Sequence, residues 1–370
     1  MQKRTKALIA GGCGVAVVGG GVLAVVLLTG PGSASAALGV LPEDTTTIEF
    51  VDRDAWAERT GLDDIGHDFS DRDLDRFRSK ARDSLVATPL AQYLQVMEEA
   101  PFNEFDVDWY VSGTRGESED DGDYWEVYRL DDEIDLDDVT DDLADSGYEK
   151  SSVGGHDRFT GGPDLADVNG TMADHYPGTF LDVTVIEDEH LLVVSRDPGP
   201  VVDVVDGDAD SLADSDTVPD LFAEADRPEF AHVALGDRAC RLGRAATTTD
   251  PDALEQPMKD TGADQLGTPE ASAYFLVPDG DDVVSQSVLL FSSGDAAVSD
   301  AKAREKWLRD GTDPRTLEPL SDFVDVDSVE ADGSAVITEA TFRDERLGAQ
   351  MAFESGGIVA CNPIPGAPTP

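Results

Sequence analysis

Ser299-Asp-Ala-Lys302 has the S-x-x-K spacing in which a lysine one helical turn away can take a serine proton and make a nucleophile. The four residues fall inside an expected helix, Gly294–Arg309, and the companion S-D-N and K-T-G elements are missing from the sequence. A surface helix explains them better. Ser328-x-Glu330-x-Asp332-Gly333 with Glu339 sets oxygens at the spacing of a degenerate calcium loop. The same residues alternate as a valine-rich hairpin around Asp-Gly, and their flanks do not read as helices. His67, His156, His175, His190 and His232 show no metal-ligand spacing. His156-Asp157, in a Gly-Gly turn, is the histidine to test as a site, against the simpler reading of a turn histidine bonded to backbone. Asp131, Asp132, Glu133, Asp135, Asp137 and Asp138 could hold a loosely bound cation, and acids at a helix N-terminus favoured by the dipole explain them equally well. Asn169-Gly-Thr171 fits a glycosylation acceptor.

The sequence beyond the N-terminal run has no Walker loop, no G-x-G-x-x-G after a strand, no H-E-x-x-H and no G-x-S-x-G. No catalytic, cofactor-binding or metal-ligating residue is therefore assigned, and no cofactor is expected. Cys240 and Cys361 are assigned as a disulfide pair. Neither sits in C-x-x-C or beside a histidine, and an even pair outside the cytoplasm pairs by default. The bridge would close a loop of about 120 residues, near 4–5 kcal/mol by chain-entropy arguments and commonly less in practice.

Location decides the rest. Ala7–Leu28 is uncharged throughout and as a helix would span roughly 33 Å, enough for a bilayer core. Lys3, Arg4 and Lys6 precede it and no Lys or Arg follows before Arg53, which places residues 1–6 in the cytoplasm and the bulk of the chain outside. Its length favours a retained single-pass anchor. Ala34-Ser35-Ala36, just past Gly30, Pro31 and Gly32, supports the competing reading of a signal peptide cleaved after Ala36 and a secreted product. Gly12, Ala16, Gly20 and Ala24 form a small-residue row that could support weak homo-association in the membrane.

The net charge of −51 is extreme, with 55 of the 78 acids aspartate and 20 of the 27 bases arginine. A heavily hydrated, salt-tolerant surface accounts for it; a cation store or a basic partner is the alternative. Nucleic acid is excluded as a partner, because like charge repels it. At 40% hydrophobic the chain has enough apolar material for real cores.

Past a spacer (29–44), β-branched Thr45–Val51 reads as a strand and Asp52–Thr60 as a short helix around Trp56. Ser70–Ser84 reads as a charged helix capped by Ser70. Leu90, Tyr93, Leu94 and Met97 recur at helical spacing between a Thr88 cap and Pro101, which predicts a further helix. Strands at Phe105–Gly113 and Tyr124–Leu130, a helix at Asp135–Leu143, and hairpins at Tyr148–Thr160 and Phe180–Ser195 follow. Pro200–Val205 and Val218–Ala225 read as helices. From Glu229 the order starts again: strand Phe230–Leu235, strands Ala273–Val277 and Val284–Phe291, helix Gly294–Arg309, then hairpins at Asp332-Gly333 and Gly356-Gly357. The expected fold is α+β: one N-terminal membrane helix, then two similar, mainly antiparallel units, 45–227 and 228–361, before a proline-rich tail (362–370). The alternative is one continuous sheet with helices on one face.

Leu41-Pro-Glu-Asp-Thr45 after an anchor, and Glu189-His-Leu-Leu-Val-Val-Ser195 before a helix, resemble uncharacterised exported or membrane-anchored proteins of high-GC Gram-positive bacteria. The resemblance spans Val40–Val205, and it implies an envelope protein and carries no site residues. The expected function is contact with an envelope protein or ligand, without catalysis. An envelope hydrolase built from dispersed acids and His156, or an acidic cation-binding protein, is the alternative.

Overall fold

The computed structural model describes residues 32–82, 84–116, 123–161, 171–172, 176–177, 179–239, 259–260, 263–280, 282–312 and 318–343. The apolar run Ala7–Leu28, Cys240, Cys361, Asn169, His175, the Gly356-Gly357 turn and the tail 362–370 all lie outside them. Among the described residues no helix is long and apolar enough to cross a membrane.

Helices α1 (Ser33–Leu38), α2 (Arg53–Thr60), α3 (Asp71–Ala81), α4 (Leu136–Asp145), α5 (Gly199–Val205), α6 (Val218–Ala223) and α7 (Gly294–Asp310) surround one large antiparallel sheet. Its first half is built from β1 (Thr47–Asp52), β2 (Val107–Arg115), β3 (Asp123–Leu130), β4 (Glu149–Val153), β5 (His156–Thr160), β8 (Asp182–Ile186) and β9 (Leu191–Val194). A small separate ribbon pairs β6 (Thr171–Met172) with β7 (Tyr176–Pro177). The second half holds β10 (Phe230–Leu235), β11 (Ala271–Asp279), β12 (Asp282–Leu290), β13 (Val324–Asp332) and β14 (Ala335–Phe342). The order is β13-β14-β12-β11-β10-β1-β2-β3-β9-β8-β5-β4. The chain is thus mixed α/β, and its described residues form a twelve-stranded antiparallel sheet, continuous across the antiparallel pair of β1 and β10.

Period-2 alternation turns each strand's side chains to two faces. Ile48 and Phe50 enter one apolar layer with Val111, Val127, Val233 and Phe275, covered by α1, α5 and α6. Val51 enters the other with Tyr110, Tyr128 and Phe230, covered by α2, α3, α4 and α7 through Trp56, Phe77, Leu143 and Trp307. Helices on both faces are needed because both faces carry large apolar side chains.

Local rules explain most helix boundaries. Ser70 and Asp73 form a reciprocal capping box at the start of α3, and Asp135 accepts from the Asp137 amide at the start of α4. Gly154 and Gly155, with φ of 58° and 98°, turn the β4–β5 hairpin.

Two expectations are corrected. The span from Thr88 to Pro101 is not one α-helix but two 3₁₀ turns, Pro89–Tyr93 and Met97–Glu99. Thr88 caps the Leu90 amide while its own hydroxyl and amide both donate to the buried Glu104 carboxylate, which ties down the start of the segment. Leu90, Leu94 and Met97 still reach the core. The second correction concerns the spacer: Ser33–Leu38 is helical, and Ala37, Leu38 and Leu41 are buried. Gly113 makes this approach possible, since a Cβ there would sit 2.9 Å from Thr45 Cγ2 and 3.1 Å from Leu41 Cδ1.

Candidate functional site

Where the central strands cross, the face shared with α2, α3, α4 and α7 changes from apolar to polar. Strand register lines up Val51, Phe230, Tyr110 and Tyr128 in one row. Two residues further along each strand, the next row reads Thr338, Ser287, Tyr274, His232, Glu49, Ser112 and Glu126 across β14, β12, β11, β10, β1, β2 and β3. Beyond it lie Ser272, Ala234, Thr47, Thr114 and Tyr124. A polar band therefore crosses seven strands of a sheet whose neighbouring row is packed against helices.

The middle of the band is reachable. Thr47, Glu49 and His232 are half-buried, and Tyr124 is 46% exposed. Glu126, 7% exposed, accepts from the Tyr124 hydroxyl at 2.9 Å and the Tyr128 hydroxyl at 2.7 Å. Tyr274 and Ser285 hydroxyls bond at 2.9 Å. The Tyr110 and Tyr128 rings pack at 5.0 Å between centroids. The hydroxyls of Thr47, Ser272, Ser287 and Thr338 are buried with no hydrogen-bond partner among the described residues. Unmet hydroxyls gathered on one face mark a surface with hydrogen-bonding capacity to spare.

Electrostatics follow from the setting. Burial, reinforced by the Glu126 charge, pushes the Glu49 carboxyl up to about 7. Burial also raises Glu126, against the pull of the Tyr128 and Tyr124 donors. Burial lowers His232 to about 4, so its imidazole is neutral at pH 7. Tyr110 and Tyr128 are driven well above their usual range by burial and then by the Glu126 charge, and stay protonated. The band thus offers two carboxyl groups whose proton affinity burial raises, a neutral imidazole and several hydroxyls.

A second polar cluster lies by α2. The Arg53 guanidinium sits 5.1 Å from the Trp56 ring and 5.7 Å from those of Phe77 and Phe105, with its Nε 3.3 Å from Glu104. Burial pushes Glu104 up to about 7 against the Arg53 charge and the Thr88 donors. Beside it His67 Nδ1 meets Asp106 at 2.9 Å, and Asn103 donates to the His67 carbonyl at 3.3 Å. These contacts anchor the segment before β2 to α2.

The residues singled out by spacing are dispersed. His156 Nε2 bonds Asp206 at 3.0 Å and ties the β4–β5 turn to the end of α5. His190 occupies a left-handed turn, with φ of 50°, between β8 and β9. Ser299 and Lys302 are exposed on α7. Ser328 and Glu339 are cross-strand partners in the β13–β14 hairpin, whose turn Gly333 makes with φ of 57°. Asp131 accepts from the Glu133 amide, Asp132 pairs with Arg129, and Asp135 caps α4. Among the described residues no three of His, Cys, Asp and Glu converge as a metal site. Glu49 and Glu126 carry no local motif. The only trace is a polar residue at alternate positions of an otherwise apolar strand, which any solvent-facing strand also shows.

No family model matches the chain, and no curated protein matches it. Solved structures of TP0453 are similar over most of its length. Crystal form III is 8% identical, covering 85% of this chain and 96% of that one, with a TM-score of 0.38. Form I is 9% identical, covering 86% and 98%, with a TM-score of 0.37, and form IV is 10% identical, covering 85% and 96%, with a TM-score of 0.39. Likeness at this level leaves the functional reading to the chain's own geometry.

Proposed function

We propose that this is a membrane-tethered, extracytoplasmic binding protein that holds a small polar ligand on the polar band centred on Glu49. The observation that carries the reading is the group of buried hydroxyls without partners among the described residues, on the face that also bears Glu49, Glu126 and His232. Sites of this kind pair an apolar surround with a few convergent polar groups. The tether is Ala7–Leu28 behind Lys3, Arg4 and Lys6. The envelope setting agrees with the resemblance to exported proteins of high-GC Gram-positive bacteria.

The band sits where two related halves meet. Outward from the β1–β10 pair the orders run β1-β2-β3-β9-β8 and β10-β11-β12-β14-β13. In each half the third strand leads into a helix, α4 or α7, and a later hairpin returns its second strand to pair with that third strand. This correspondence supports an internal duplication, with the site at its junction.

The full chain, extracted in mild detergent from its own membrane, is expected to carry a small molecule by native mass spectrometry, with occupancy reduced in Glu126→Gln. A bare chain that also shows no change in melting temperature with envelope extract would sink the reading and turn attention to a protein partner sought by crosslinking. Mass spectrometry of the mature N-terminus tests the tether, since a species beginning at Ala37 shows release. Proton-transfer catalysis is the second reading, favoured by a Glu49 carboxyl near neutrality beside a neutral imidazole. It requires turnover that Glu49→Gln abolishes.

A further inference from the structure

Among the described residues three buried acids have a guanidinium within reach, and a fourth, Asp106, meets His67 at 2.9 Å. Glu104 is 3.3 Å from Arg53, Glu229 is held by Arg59 at 2.6 and 2.7 Å, and Asp300 is 2.8 Å from Arg304 within α7. That is the usual rule, because an uncompensated charge away from water is costly. Among the described residues, Glu49 and Glu126 have no such cation beside them. They stand on the same face two strands apart, with Ser112 between them, and the charge that acts on Glu49 is that of Glu126. Among the described residues the donors on the Glu126 carboxyl are tyrosine hydroxyls. His232, opposite Glu49 in register, is neutral and supplies no counter-charge.

Resting on the ligand-binding reading above, we infer that the missing counter-charge is the ligand's: the band takes an organic ammonium compound, its cationic head at Glu49 and Glu126 and a hydrogen-bonding tail toward Ser272. Three observations converge on this class. The two acids supply charge, and the exposed Tyr124 ring supplies aromatic surface of the kind that attracts ammonium groups. Ser272 is fully buried with a hydroxyl that has no partner among the described residues, on the same face two strands from Glu49. Two inter-strand spacings across and two residues along make that roughly 12 Å, the reach of a small two-headed molecule. A net charge of −51 draws cations toward the whole surface, so specificity must come from this constellation and not from attraction alone.

The test is calorimetric titration of the full chain in detergent with choline, n-butylammonium and putrescine. The uncharged carbon isostere of choline, 3,3-dimethyl-1-butanol, and calcium run alongside. At least one ammonium probe is expected to bind at least tenfold tighter than the isostere. Glu49→Gln and Glu126→Gln should each weaken it tenfold or more, while Asp325→Asn, which removes an exposed acid, leaves it unchanged. Melting curves check that the variants are folded, and Gln preserves the shape of each side chain. Equal binding of the isostere, lost in Glu126→Gln, overturns the ammonium assignment and leaves the binding site standing. Calcium binding with the same dependence and no ammonium binding overturns it in favour of a metal. Binding that survives both glutamine variants, or no binding by any probe, overturns the inference; the first also removes the site from this band.

Discussion

Glu49 shows how a single side chain can set a pH dependence. Its carboxyl is held up at about 7 in the fold against an ordinary 4.5, so the folded state keeps the proton longer than the unfolded chain does. Stability from this group is therefore complete below pH 4.5 and is lost as the pH rises to 7. Glu49→Gln, measured by urea midpoint on ligand-free protein, should be about 1–3 kcal/mol more stable than the wild type above pH 7, with a shallower slope between pH 5 and 7. A variant whose curve runs parallel to the wild type would show that Glu49 is solvated. Arg53 makes the opposite case. Replacing it by Met leaves Glu104 buried without its guanidinium, at a cost of about 3–5 kcal/mol. Adding Glu104→Gln should recover a large part of that loss, as read by thermal melts of the single and double variants.

The β4–β5 hairpin and its docking on α5 show how an element can be legible in one respect and hidden in another. The Gly154-Gly155 turn was readable because two glycines between β-patterned runs mark a left-handed turn, and the structure has it there. The packing of Gly154 was not readable: a Cβ at that position would lie 2.3 Å from Val202 Cγ1 on α5. Gly154→Ala should cost about 2–3 kcal/mol through clash and strained backbone together. Gly155→Ala, which meets no atom within 4 Å, should cost only the backbone term of about 1–2 kcal/mol. Equal losses in the two variants would mean that the hairpin does not press on α5. The segment after Thr88 teaches a related lesson. Its apolar spacing correctly marked Leu90, Leu94 and Met97 as core, but the type of helix was decided by Glu104, sixteen residues past Thr88.

The chain carries a net charge of −51, and many of the acids among the described residues are exposed. Self-repulsion of this size opposes compactness and is screened by salt. The melting temperature should therefore rise by about 2–6 °C between about 0.02 M and 0.5 M sodium chloride, with an equimolar sugar control separating screening from solute exclusion. A flat response would mean that the acids are already compensated by bound cations. At this scale the element order read from the sequence holds closely from β1 to β14. The joining of both halves into one sheet at β1 and β10 does not follow from element order, because antiparallel edges can pair or stay apart with the same local sequence.

The sequence by itself determined what depends on neighbours along the chain: the caps of α3 and α4, the glycine turns, the alternation of Ile48 and Phe50, and the N-terminal charge asymmetry expected to orient the chain in a membrane. Tertiary structure alone decided the candidate site. Glu49, Glu126 and His232 lie far apart in sequence, and each occupies an alternate strand position like any solvated residue. Strand register brought them into one row, and burial shifted their proton affinities. Neither register across β10, β1, β2 and β3 nor the exclusion of water is written in any local stretch.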